Sequence, residues 1–131
     1  MGTDIHCHAE IKVDREWHHY SEVPIERDYV LFGFLAGIRC DEQAFPVRGL
    51  PADLSVVTRL EADRWDCDGH THSLIDIKEI TRTILKFPKM FAKYYGGSKY
   101  LFGNGFENFL VNRDEYPQDI EDVRWVFWFD N

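Results

Sequence analysis

The 131-residue chain is poor in several features that commonly decide a protein's class. Cysteine is scarce: Cys7, Cys40 and Cys67 are an odd number at wide spacing with no CxxC. That excludes a disulfide framework or a thiolate zinc knuckle and predicts free thiols in a reducing compartment. No apolar run reaches the roughly 18 residues of a membrane span, and the opening residues lead into Asp4 and His6 with no basic-then-apolar leader pattern. No membrane partner and a cytoplasmic location are therefore expected. Positive charge is short, with 15 Lys/Arg against 23 Asp/Glu, and the net charge of −8 repels nucleic acid at long range. A GxSxG nucleophile signature is missing, and the Gly103-Asn104-Gly105 stretch is too short for a phosphate loop.

Apolar material, by contrast, is plentiful. Hydrophobic residues make up 44% and aromatics 15%, enough to close one core without staples, and the length fits a single domain over 1–131. Charge is unevenly spread, since residues 78–99 carry 6 Lys/Arg against 1 Asp/Glu in an otherwise acidic chain.

Residues 3–13 alternate, with Ile5, Cys7, Ala9, Ile11 and Val13 on one side and Asp4, His6, His8, Glu10 and Lys12 on the other, which predicts a half-buried strand. Asp14-Arg15 reads as a turn into a second strand over 16–23. A two-residue loop puts His19 opposite Glu10 and a three-residue loop puts His18 there, because a one-residue slip inverts every side chain. The segment 27–38 reads as a core helix with Gly33 and Gly37 spaced for close backbone approach. A shorter helix is expected over 51–63, led by Pro51. Ser73 with Asp76 resembles a capping box, and Leu74, Ile77, Ile80 and Ile84 recur at helical spacing, predicting a helix over 73–87 that Pro88 interrupts and 89–95 resumes. Residues 98–119 read as irregular, and 123–129, VRWVFWF, as a strand covered on both faces. The expected fold class is α+β: a small antiparallel sheet, the N-terminal hairpin plus the C-terminal strand, with helices packed on one face.

Two D-x-H-x-H units, D-I-H-C-H at 4–8 and D-G-H-T-H at 68–72, hold four of the six histidines. On a strand, residues i and i+2 point the same way about 6 to 7 Å apart, the spacing of a metal chelate. Imidazole and carboxylate donors suit a divalent metal, zinc or manganese, with a position left open for water. The candidate ligands are Asp4, His6, His8, His70 and His72, with Asp68 and His70 as the catalytic pair. The competing reading makes Asp4, His6, His8 and Glu10 the wet side of an amphipathic edge strand. It makes 68–73 a bend followed by a helix cap. The two units meet only if the loop before Ser73 folds back over the sheet.

Lys78, Arg82, Lys86, Lys89 and Lys93 would share one face of a continuous helix, able to receive phosphates or simply facing solvent. Arg48, on a loop before a helix start, is a further anion-binding candidate, the alternative being a pairing with one of the many carboxylates. Substrate-binding candidates are thus Arg48, Lys78, Arg82 and Lys86.

Both histidine units resemble the opening motif of the PHP and amidohydrolase metallohydrolases, where paired histidines bind catalytic metals, although those enzymes are barrels of about 200 residues or more. A resemblance covering most of the length is to small phage- and prophage-encoded proteins that begin with an MGxDIHxHxE-like stretch. It is carried by MGTDIHCHAE, WHHY, ERDYVLF, RGLP from Arg48 to Pro51, DGHTHS and FWFDN. Cys7 and Cys67 depart from that pattern without touching a proposed ligand. The resemblance implies a phage setting, hence the host cytoplasm, and no particular activity. Two functions follow as expectations: hydrolysis of a phosphoester of a nucleotide or nucleic acid at the metal site, or a non-enzymatic effector role. An effector would bind a host protein or sequester a nucleotide signal. The sequence leaves the oligomeric state open.

Overall fold

The alternation of residues 3–13 becomes β1 (Asp4–Val13), which turns through Asp14 and Arg15 into β2 (Glu16–Glu22). Both turn residues have positive φ, 51° and 68°, the left-handed pair a two-residue hairpin needs to follow the strand twist. Glu10 therefore faces His19, and the partners then jump from His19 to Ser21, leaving Tyr20 as the extra residue of a bulge. The computed structural model describes residues 2–23, 25–41, 43–76, 78–79 and 120–131.

α1 (Tyr29–Ala36) is shorter at both ends than the expected 27–38 for local reasons. The Asp28 carboxylate caps the N–H groups of Val30 and Leu31, and Gly37 ends the helix at φ 73°. Gly33 is the point of close approach, since a Cβ there would collide with the Cys40 side chain and stand 2.8 Å from its carbonyl oxygen. α2 (Val56–Asp63) starts five residues after Pro51, because the Ser55 hydroxyl is what caps it, accepting from the Thr58 N–H.

One expectation fails. Residues 73–76, assigned to the start of a helix, belong to β3 (Gly69–Asp76). Ser73 does not cap: it is fully buried and paired with Phe127 of β4 (Ile120–Asp130). Tertiary pairing with an apolar strand outweighs the weak local preference for helix. The capping box exists three residues later. Glu79 N–H donates to Asp76 Oδ1 at 2.8 Å and Asp76 N–H to Glu79 Oε1 at 3.1 Å. What the sequence predicts beyond Glu79, the rest of the helix to 87, its resumption over 89–95 and irregular backbone over 98–119, lies outside the described residues.

All strand pairs are antiparallel, in the order β2-β1-β4-β3. β4 is central, as its apolar run requires, and β1 and β3 flank it. Trp125, Phe127 and Phe129 point to one face, where α1 adds Leu31, Phe32, Leu35 and Ala36 to the larger core. Val126 and Trp128 point to the other, where Ala62 of α2 and Leu54 form a smaller cluster. The α+β antiparallel sheet is as expected, extended by a fourth strand, but the helices expected on one face divide, α1 on the more apolar face and α2 on the opposite one, because the run in β4 leaves Val126 and Trp128 to be covered as well.

Candidate functional site

Because β1 and β3 both run antiparallel to β4, the two D-x-H-x-H units lie side by side with β4 between them. Asp4 and Gly69 both pair with Asp130, and Ile5 and His70 both pair with Phe129. Strand pairing, and not a folded-back loop, brings the units together. At about 4.8 Å per strand they remain roughly 10 Å apart, and Trp128 occupies the space between.

The histidines on this face crowd the Trp128 indole. The His8 ring stacks on it at 5.2 Å, His72 lies at 5.9 Å and His6 at 6.1 Å, with Trp65 covering His6 at 4.0 Å. His6 and His8 each have their own polar partner. His6 Nε2 meets the Asp130 carboxylate, and His8 Nδ1 meets His19 Nε2 at 3.0 Å. Burial, then the His19 charge, pushes the His8 pKa down to about 4, and burial also lowers that of His72. Both are neutral imidazoles at physiological pH.

The second His-x-His pair is split. Thr71 takes φ 55° and the register breaks between His70 and Ser73. His70 consequently stacks on Phe129, at 6.4 Å, and contacts the Asn131 side chain, while His72 goes to Trp128 on the opposite face. Asp68 closes a short 3-10 turn (Asp66–Asp68) and is exposed. Asp4 is exposed and bound by both Arg27 Nε and Nη2 at 3.0 and 3.1 Å, which holds its carboxyl below the ordinary range. Among the described residues, no three His, Cys, Asp or Glu side chains converge on one point.

Arg48 takes the carboxylate pairing. Its guanidinium forms a two-pronged bond with Glu79, at 2.6 and 2.7 Å, and also donates to the Leu74 carbonyl, so it straps the loop to β3. Lys78 is exposed, and Arg82, Lys86, Lys89 and Lys93 lie outside the described residues.

Beneath the start of α2 lies a buried network that the sequence does not announce. Arg124 donates to Glu10 Oε1 from Nε and Nη2 at 2.9 and 2.7 Å, and to Asp53 Oδ1 at 2.9 Å. Glu10 Oε2 accepts from the Ser55 N–H at 3.1 Å. The guanidinium also lies 4.0 Å from the Trp17 ring centre. Burial alone would raise the Glu10 carboxyl, but hydrogen bonds from Ser55, Thr58 and Arg124 outweigh it and hold the pKa low. The expectation that Glu10 faces water is overturned. It is fully buried because β1 is an inner strand and α2 covers this end of the face. Its opposition to Arg124 could be read only from the β1–β4 register.

A groove of about 410 Å³ opens beside this network. Glu16, Trp17, His18 and His19 of β2 form one wall, and Asp53, Leu54, Ser55, Val56 and Val57 the other. The outer side of α2 is apolar where water would favour polarity. Val56 is 75% exposed, Leu60 59% and Val57 50%. No described helix is long and apolar enough to cross a membrane. Comparison of the chain with protein-family models, with curated proteins and with solved structures finds no match.

Proposed function

We propose that the protein acts by docking a partner protein in the groove between β2 and α2. The observation that carries this reading is the exposed Val56, Val57 and Leu60 surface continuous with the groove. β2 is an edge strand among the described residues, so an extended segment can lie along it and place alternate side chains against the valines. The lining offers Arg15 against Glu16 and Asp53, in a chain of net charge −8, which favours an apolar-and-basic segment over a phosphate-bearing nucleotide. In the phage setting of the resemblance, that partner is a host protein in the host cytoplasm.

The probe is a synthetic strand peptide alternating valine with lysine, compared with one alternating valine with glutamate. Backbone amide shifts should move along β2 and the start of α2 with the lysine peptide only. Val57→Asp should abolish the response at unchanged melting temperature, and salt should weaken it. Shifts scattered over the surface, or equal for both peptides, overturn the reading.

One observation favours the hydrolytic alternative: Asp130 orients His6 through Nε2, leaving Nδ1 as the basic nitrogen. In that reading His6 is a base or metal ligand, and zinc or manganese polarises the phosphoester. Metal-dependent cleavage of bis(4-nitrophenyl) phosphate that is lost in His6→Ala and kept in Val57→Asp would replace docking by hydrolysis.

A further inference from the structure

We infer that His8 and His19 together chelate a divalent transition metal across β1 and β2, in a six-coordinate arrangement whose other positions face the groove. The inference is independent of what docks there. It differs from the i, i+2 chelate suggested by the sequence, because His6 is engaged by Asp130 while His8 turns to the neighbouring strand.

The distance carries the geometry. His8 Nδ1 and His19 Nε2 stand 3.0 Å apart, and an ion about 2.0 to 2.1 Å from each would subtend roughly 90° between them. That is the angle between adjacent ligands in a six-coordinate site. A tetrahedral zinc site would need the nitrogens about 3.4 Å apart at the same bond lengths. Nickel and cobalt, which accept imidazole nitrogen and bind more tightly than manganese, fit best.

Glu61 of α2 and Glu10 of β1 act on His8 in the sense that favours positive charge, against burial and the charges of His19 and His6. His19 lines the groove, which supplies the route for the ion and room for water as the remaining ligands. In the present contact one of the two nitrogens carries the hydrogen. On binding, His8 holds a hydrogen on Nε2 and His19 on Nδ1, any proton in excess of these passes to solvent, and both lone pairs go to the metal.

The test is titration of untagged protein with cobalt or nickel chloride, with magnesium chloride as control, followed by calorimetry and by the visible spectrum of cobalt. One equivalent of cobalt should bind with the weak absorption of six-coordinate geometry, and paramagnetic broadening should centre on the His8 and His19 rings. His19→Ala should lose the site while keeping its fold, because His19 is half-buried, and His6→Ala, His18→Ala and His72→Ala should keep it. Absence of cobalt binding overturns the inference, as does binding that survives His19→Ala or the intense spectrum of a tetrahedral site. None of these outcomes depends on whether the valine–lysine peptide binds.

Discussion

On the α1 side of the sheet, Ile5, Cys7, Ala9, Trp125, Phe127 and Phe129 meet Leu31, Phe32 and Leu35, and nearly every buried contact is apolar. On the α2 side, the intervening residues of the same strands present His6, His8, Glu10, Arg124, Val126 and Trp128. The first face supplies transfer free energy without regard to partner identity, at about 1.5 to 3 kcal/mol per large side chain. The second gains less from burial and more from matching. Glu10 must meet Arg124, and Arg124 must meet Asp53 and Trp17, so a two-residue register slip, which keeps every side chain on its own face, would still strand a buried charge. One face contributes mass to the core. The other specifies how the strands align.

Four measurements break or sharpen that contrast. The largest effect is expected on the apolar face, where Phe127→Ala should cost about 3 to 5 kcal/mol in urea unfolding. A loss below about 1 kcal/mol would remove Phe127 from the core.

Arg124→Met should cost about 3 kcal/mol, because Glu10 is left buried and unpaired. Adding Glu10→Leu should restore most of it, since replacing a whole buried pair is often neutral. If the double variant is as unstable as the single, the network stabilises through more than its charges.

The third test concerns pH. Well above pH 6.5 His8 is neutral in both states and adds no pH dependence. Below that, the unfolded chain takes up a proton that the folded chain refuses until its own pKa of about 4. Stability should therefore fall as pH drops through this window, by roughly 2 to 3 kcal/mol between pH 7 and 4.5. His72, lowered in the same direction, adds to the loss. His8→Gln should flatten the fall, and a slope identical to wild type would show that His8 is reached by water.

The smallest effect belongs to the sheet's rim. Arg27→Ala removes the exposed pair with Asp4 and should leave the urea midpoint almost unmoved, with any difference shrinking in salt.

Much of the apolar face is legible in the sequence because its signals are local. Alternation marks β1, the nearly unbroken apolar run VRWVFWF marks a strand covered on both faces, and the apolar 27–38 segment marks the core helix, whose limits at Asp28 and Gly37 come from the structure. The histidine face is far less so. That His-x-His spells a chelate at 70–72 assumes ordinary strand backbone, and Thr71 is left-handed there. Arg48 is recognisable as a loop cation, but its Glu79 partner is 31 residues away. Asp130 and His19 become site residues only once β4 and the hairpin register place them against His6 and His8.

The amino-acid order by itself determined the fold class, the hairpin with its Asp14-Arg15 turn as one of two registers, the core helix and the strand covered on both faces. Hydrophobic period and turn chemistry act over a few residues and need no partner. Tertiary structure decided that 69–76 is a strand, that both histidine units flank β4, and that Glu10 is buried on Arg124 instead of wet. Those outcomes depend on pairings between segments roughly 50 to 125 residues apart, where the competition between local preference and a complementary strand is settled only by the partner's presence.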